Sequence, residues 1–378
     1  MIDPCAVPSP CYVLDISLLR KNLELIKRVS DESGAEIILA FKGFAMWSAF
    51  PVVREYITGA TASSASEAIL ARREMQTFAH AYSTVYTDSD IDIILENSSH
   101  ISFNSVAQYQ RFKSRINKFN RKISPGLRVN PEFSEVGTDL YNPCAAGSRL
   151  GVTRDILGDS LPEGIEGLHF HVHCESSSFD LERSLSKFEE KFGNLIPGLK
   201  WVNMGGGHLM TRKDYDTRHL IELIRRFKQK YGVHVILEPG SAFAWETGVL
   251  VSTIEDIVEN SGIKTAILNV SFTAHMPDCL EMPYKPRITG AIDGAAGTFT
   301  YRMGGNSCLS GDYMGDWSFE KPLETGHRVV FEDMIHYTMV KTTTFNGVQH
   351  PSIGIWDDNT GFRLVRSFGY EDYRNRLS

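Results

Sequence analysis

The chain predicts an α/β fold: a TIM-type (β/α)8 barrel over residues 11–243, followed by an all-β C-terminal domain over residues 244–378, which residues 1–10 are free to join. Three observations carry this. Eight short apolar runs recur with helical or polar stretches between them, the alternation expected of a parallel sheet covered by helices. Polar and charged residues gather where those runs end, which is where a barrel collects its functional groups. From about Ala244 the texture changes to closely spaced β-rich runs and turns.

Taken in order, "SPCYVLDISLLRKNLELIKRVSDESG" has helical apolar spacing in its second half. The eight runs are "EIILAF", "GATAS", "AHAYST", "HISFN", "PGLRVN", "EGLHFHV", "LKWVNM" and "VHVILE". Between them, "LERSLSKFEEKFGNL" and "RHLIELIRRFKQKYG" carry amphipathic helical periods. The first run ends in Lys42, and the second is followed by Ser63, Ser64, Ser66 and Glu67. The fourth ends in Asn104, the fifth carries Arg128 and Asn130, and the sixth carries three histidines. The seventh runs into Gly205-Gly206-Gly207-His208, and the eighth ends in Glu238-Pro239-Gly240. A doubly wound open sheet would also alternate; the concentration of polar groups at one rim favours the barrel. Beyond it, "GVLVSTIEDIVE", "KTAILNVSF", "HRVVFEDMIHYTMV" and "VQHPSIGIWD" read as strands of the second domain.

A hydrophobic content of 42% with 22% charged residues is that of a soluble globular protein, and a net charge of -7 argues against a nucleic-acid partner. Six scattered cysteines do not make a disulfide framework in a chain this long. "MIDPCAVPSPC" lacks the basic and apolar regions of a signal peptide, and no apolar run is long enough to span a bilayer. The expectation is a cytoplasmic protein without a membrane partner.

Lys42 is a lone lysine inside the apolar "ILAFKGFAMW". A desolvated lysine has a lowered pKa that suits Schiff-base chemistry, although a lysine reaching outward from a strand end would look the same. "NMGGGH" is a glycine turn after the seventh strand, where many barrels bind phosphate, and "EPGS" with Gly240 and Ser241 follows the eighth. Glu238 closes an apolar strand, where a carboxylate can hold a proton on a heterocyclic nitrogen or pair with Arg128. In "GLHFHVHCE" strand alternation puts His169, His171 and His173 on one face. Lysine, glycine turn, imidazole and glutamate on four strands fit pyridoxal phosphate, with His171 stacking on the ring and the other two histidines structural. A metal-dependent hydrolase is the competing reading, with Glu175 and Glu238 as further ligands. In the second domain, Cys308 and Asp312 lie in the loop "GGNSCLSGDYMGD", Asp278 and Glu281 lie in "AHMPDCLEMPYKP", and Tyr337 lies in "HYTMVKTTTFNG". The thiol could donate a proton, the carboxylates could receive ammonium groups, and the phenol could reach a phosphate. Each could equally be an ordinary loop residue.

"GATASSASE", "NSVAQ", "LRVNP", "SRLG", "HFHVHCE", "NMGGGH", "EPG", "SCLSGD" and "HYTMVKTTTFNG" follow Lys42 in the order of the type III pyridoxal phosphate fold. The chain resembles that family's alanine-racemase-like barrel with a β domain, in its decarboxylase branch. More narrowly, "PSPCYVLD", "YNPCAAGSRLG", "HVHCE", "AHMPDCLEMPYKP" and "SCLSGDYMGDWSF" are similar to the decarboxylases of carboxynorspermidine and carboxyspermidine in polyamine synthesis. The resemblance implies that Lys42 makes the Schiff base, Glu238 pairs with the pyridinium and His171 stacks on the ring. It implies phosphate binding by Gly205, Gly206, Gly207 and Tyr337, and a homodimer whose partner supplies Cys308, the proton donor, and Asp312. Asp278, Glu281 and Asp312 are the candidates for the distal amines of a carboxypolyamine. No metal is called for. Ser241 stands where the ornithine decarboxylase pattern has arginine, which shifts phosphate binding toward backbone amides and hydroxyls. Diaminopimelate or ornithine decarboxylation, a metal-dependent hydrolase and a non-enzymatic carrier of pyridoxal phosphate are the alternatives.

Overall fold

The computed structural model describes residues 2–137, 139–292 and 299–378. They fall into two units, Asn22–Phe243 and the combination of Met1–Lys21 with Ala244–Ser378. After β1 (Cys11–Asp15), which belongs to the second unit, the strands of Asn22–Phe243 follow in chain order. They are β2 (Glu36–Ile37), β3 (Leu39–Ala40), β4 (Ala60–Ala62), β5 (Ala79–Tyr82), β6 (Ser98–Phe103), β7 (Ser124–Arg128), β8 (Gly167–His169), β9 (Trp201–Asn203) and β10 (His234–Leu237). All pair in parallel, in the order β2-β10-β9-β8-β7-β6-β5-β4-β3. β2 and β3 are two pieces of one chain pass interrupted at Ile38, so the two ends of this path meet. Ile38 N–H donates to Leu237 O at 2.9 Å and Leu39 N–H to Gly59 O at 3.1 Å, which closes the ring. Eight chain passes therefore make the expected barrel.

The strands are short and almost wholly buried, as parallel strands covered on both sides must be. Helix Ser178–Phe192 shows how the cover forms. Ser177 Oγ accepts from Asp180 N–H while Asp180 Oδ2 accepts from Ser177 N–H, a capping box that starts the helix. Leu181, Leu185, Phe188 and Phe192 then form one buried stripe. Phe170, fully buried just past β8, stacks on Phe188 with ring centroids 4.4 Å apart. Phe170→Ala is expected to cost about 3–5 kcal/mol by chemical denaturation; a loss below about 1 kcal/mol would show that this contact does not fasten strand to helix.

The second unit is a mixed sheet of β11 (Gly248–Asn260), β12 (Ile263–Leu268), β13 (Phe299–Gly304), β14 (Tyr313–Phe319), β15 (Arg328–Glu332), β16 (Ser352–Asp357) and β17 (Gly361–Arg366). Its order is β14-β13-β12-β11-β1-β16-β17, with β15 also on β11. The long β11 pairs with β1 and β15 through its first half and, past an irregularity between Ile254 and Asp256, with β12 through its second.

Here the boundary at Cys11 is corrected. Cys11–Asp15 does not open the barrel: it lies between β11 and β16, with Cys11 opposite both Val251 and Ser352. Five consecutive buried residues can fill the middle of either kind of sheet, so only the pairing decides. The unit expected to hold strands alone also carries short helices at Phe272–His275, Pro277–Glu281 and Tyr370–Leu377.

Candidate active site

The barrel brings Lys42, His171, Glu238 and the glycine turn together at the C-terminal ends of its strands. Lys42 stands two residues past β3. Phe41 beside it is buried and stacks on Phe50 at 5.1 Å, which anchors the backbone on the helix side. The Lys42 side chain is open to solvent, yet the surrounding protein is dense enough to desolvate the amine, as in a concavity. That crowding and then the Arg128 guanidinium push its pKa below the ordinary lysine value, against the opposing pull of Glu238, Cys174 and Glu67. Gly43 follows because the chain passes backbone to backbone against the turn after β10. A Cβ at Gly43 would stand 2.7 Å from Gly240 Cα.

The neighbours of this lysine favour its neutral form. Gly206 N–H donates to His171 Nδ1 at 2.7 Å, so Nδ1 carries no hydrogen. A neutral imidazole then has its hydrogen on Nε2, which lies 3.2 Å from Lys42 Nζ. Nε2–H then faces Nζ, an arrangement that favours the neutral form of the amine, in the same direction as its lowered pKa. Burial first, then Lys42 and Arg128, hold the His171 pKa well below the usual range, in keeping with a neutral ring. Arg128 also fixes this segment directly: its Nη2 donates to His171 O at 3.0 Å, and its guanidinium lies 4.6 Å from the centre of the Tyr82 ring.

Glu238 is buried one residue past β10. Asn203 Nδ2 donates to its Oε1 at 2.5 Å, and Asn203 Oδ1 accepts from Gly205 N–H at 2.8 Å, so one amide ties the carboxylate to the glycine turn. Oε2 lies 3.8 Å from His169 Nε2, outside hydrogen-bond range. Burial raises the Glu238 pKa, and Asn203, Lys42 and Arg128 oppose it. The expected alternative of a pair with Arg128 is not what anchors this carboxylate; Asn203 is. Asn203 was not singled out from the sequence, where a polar residue ending an apolar run was the available signal.

The glycine turn is packed as tightly as a turn can be. Gly205 and Gly207 have φ of 70° and 85°, and a Cβ on Gly206 would stand 2.4 Å from Glu238 O. Two of the three amides serve the barrel itself, Gly205 N–H on Asn203 and Gly206 N–H on His171. Among the described residues, Gly207 N–H is the one left open to an anion. Gly240 and the buried Ser241 lie at the neighbouring turn.

Strand β8 ends at His169, so the three histidines do not share a face as alternation predicts. His169 is buried beside Glu238, and Tyr82 meets it edge-on at 5.2 Å. His173 instead turns toward the covering helix, its Nε2 2.8 Å from Ser184 Oγ. Among the described residues no three His, Cys, Asp or Glu side chains lie together so as to hold a metal ion.

The remaining candidates belong to the second unit. Cys308 is exposed. Asp278 is buried, with Oδ2 accepting from Tyr284 and Thr338 hydroxyls at 3.0 and 2.8 Å and with Oδ1 buried without a partner among the described residues. Glu281 pairs with Lys341. Asp312, expected as an ammonium acceptor, is only 4% exposed, and backbone amides occupy both of its oxygens: Thr273 N–H on Oδ1 at 3.2 Å and Ser307 N–H on Oδ2 at 3.0 Å. Tyr337 is half-buried in the turn after β15, with a left-handed φ of 45°.

A closed parallel barrel with a lysine of lowered pKa, a buried glutamate and a constrained glycine turn at its strand ends defines a barrel enzyme of the pyridoxal phosphate type. Residues 11–335 match the family model "Pyridoxal-dependent decarboxylase, C-terminal sheet domain". The chain is 50% identical to a carboxyaminopropylagmatine decarboxylase of Synechocystis over 98% of its own length and 96% of the relative's. It is 44% identical to a carboxynorspermidine/carboxyspermidine decarboxylase of Campylobacter jejuni, over 98% of both chains. The crystal structure of carboxynorspermidine decarboxylase from Campylobacter jejuni, complexed with norspermidine, superposes with a TM-score of 0.90 at 42% identity, covering 98% of this chain and all of that one. The chain belongs to the pyridoxal-dependent decarboxylases and is a carboxy-lyase that uses pyridoxal phosphate.

The residues present fit that cofactor. The pKa of the lysine is lowered toward the free amine, Glu238 Oε2 has no donor within hydrogen-bond range among the described residues, and the glycine turn has no room for a side chain.

Proposed function

We propose that the chain decarboxylates a carboxypolyamine, carboxynorspermidine or carboxyspermidine, and releases norspermidine or spermidine. The observation that carries the reaction is the chain from Gly206 N–H through His171 to Lys42, which favours the neutral, nucleophilic form of the amine beside a buried carboxylate. Near-full-length similarity to enzymes acting on carboxypolyamines supports the substrate class. Pyridoxal phosphate supplies the electron sink for loss of CO2. Lys42 Nζ would hold the cofactor covalently, Glu238 Oε2 would hold the proton on its pyridine nitrogen, and His171 would stack on its ring. Gly207 N–H, Ser241 and Tyr337 would bind its phosphate, and Gly205, Gly206 and Gly240 shape the turns that would hold it. Cys308 Sγ gives its proton to the substrate's α-carbon. In this reading the protein is a cytoplasmic homodimer in which Cys308 serves the barrel of the other subunit. Asp278, through its unpartnered Oδ1, and Glu281 receive the distal ammonium groups.

A second reading has a specific observation behind it. The relative at 50% identity acts on carboxyaminopropylagmatine, whose distal cation is a guanidinium. Comparing kcat/KM over a panel of substrates tests both. Carboxynorspermidine or carboxyspermidine is expected to exceed ornithine and diaminopimelate by about a hundredfold or more, because the short substrates leave the buried Asp278 Oδ1 unpaired. Equal efficiency on ornithine would end the carboxypolyamine reading. A preference of about tenfold or more for carboxyaminopropylagmatine would replace the ammonium by the guanidinium.

A further inference from the structure

The loop that carries Cys308 is held in an unusual way for an exposed turn. Cys308, Leu309 and Tyr313 are exposed, the environment in which a loop is ordinarily mobile. Yet four successive backbone amides are each hydrogen-bonded, two of them to Asp312. Gly305 N–H donates to Asp312 O at 2.7 Å and Asn306 N–H to Val270 O at 3.0 Å. Ser307 N–H donates to Asp312 Oδ2 at 3.0 Å, and Cys308 N–H to Asn346 Oδ1 at 3.0 Å. Asp312 N–H closes the turn on Leu309 O at 2.9 Å. Burying the Asp312 carboxylate is costly unless its oxygens are satisfied, and here both are: Oδ2 by Ser307 N–H within the loop, and Oδ1 by Thr273 N–H of the helix Phe272–His275, which ties the loop to that helix.

Asn346 is itself fixed. It has a left-handed φ of 58°, which asparagine tolerates better than most residues, within the short turn Phe345–Gly347. Thr344 next to that turn accepts from Arg376 Nε at 3.0 Å, and a Cβ on Gly347 would rest 3.4 Å from the Tyr373 ring, so helix Tyr370–Leu377 backs the turn.

We infer that Asp312 and Asn346 are positioning residues that hold Cys308 where its thiol can protonate the substrate's α-carbon. This rests on Cys308 being the proton donor, and it gives Asp312 a different task from receiving a substrate ammonium. When CO2 leaves, the remaining electron pair takes a proton in one of two places. Protonation on the substrate's α-carbon yields the amine. Protonation on the cofactor's carbonyl-derived carbon, followed by hydrolysis with one water, yields an aldehyde and pyridoxamine phosphate. A misplaced thiol favours the second outcome without preventing loss of CO2.

The test compares Cys308→Ala, Asn346→Gly, Asn346→Asp and Asp312→Asn in the holoenzyme, reading amine formed per pyridoxamine phosphate formed. In parallel, alkylation of Cys308 by iodoacetamide is followed by peptide mass in the cofactor-free protein. Glycine keeps the left-handed backbone and removes the acceptor; aspartate keeps the acceptor. Asn346→Gly is expected to lower the ratio about tenfold or more toward that of Cys308→Ala and to speed alkylation about threefold, while Asn346→Asp stays within about twofold of wild type on both. Asp312→Asn, which keeps one acceptor oxygen, is expected to lower the ratio while leaving KM for carboxypolyamines within about twofold. A wild-type ratio in Asn346→Gly, with Cys308→Ala impaired, would overturn the positioning role alone. A wild-type ratio in Cys308→Ala would overturn the proton-donor reading and this inference with it.

Discussion

Lys42→Ala will lower kcat/KM by about ten-thousandfold or more, because the reaction loses its covalent handle on the cofactor and no other lysine stands at the end of an apolar barrel strand. The loss will not be one of folding. Lys42 is solvent-accessible and its amine makes one hydrogen bond, to His171, so the variant should unfold at nearly the wild-type temperature. His171 will keep its bond from Gly206, and the cofactor should still bind through the glycine turn, although borohydride will no longer fix it to the protein. An added small primary amine should restore part of the turnover, since what is missing is a free amine in the right place. Turnover within about tenfold of wild type would show that Lys42 is a bystander.

Glu238→Gln will leave cofactor content unchanged and lower kcat by about a thousandfold. The amide is nearly isosteric. Its oxygen can still accept from Asn203 Nδ2, so the link to Gly205 survives. What changes is the atom in the place of Oε2, which becomes a donor and cannot stabilise a proton on the pyridine nitrogen. Because burial already disfavours the ionised carboxylate, the neutral amide should not lower the unfolding temperature of the cofactor-free protein. An unchanged kcat would make Glu238 a structural residue that fastens the turn.

The barrel was legible because a covered parallel strand needs a short apolar run, and few folds besides a closed barrel use eight such runs with polar ends. Two features were not. Cys11–Asp15 is as apolar as any barrel strand, and its place between β11 and β16 is settled by pairing across more than two hundred residues. The histidine segment reads as one alternating strand, but regular pairing stops at His169 and releases His173 toward Ser184. Alternation along a sequence describes a strand only while a neighbour holds it flat.

Within the site, Lys42, His171 and Glu238 were visible as chemical misfits in apolar surroundings. Asn203 was not, because its importance lies in bonding two other groups at once. The glycines were visible as a turn, but that two of their three amides serve Asn203 and His171 depends on geometry that no spacing rule contains. Asp312 was read as a candidate acceptor for substrate because an acidic residue in a loop is ordinarily solvated; its burial and its amide partners, Ser307 in the loop and Thr273 outside it, depend on contacts that no spacing rule contains.

The central claim is that the amine of Lys42, two residues past β3, is the one that takes the cofactor. Reduction of the cofactor-loaded protein with borohydride, digestion and peptide mass analysis tests it most directly. A single pyridoxyl-modified peptide, containing Lys42 within "ILAFKGFAMW", is the predicted result. Modification at another lysine, or none in a protein that turns over, would contradict the account.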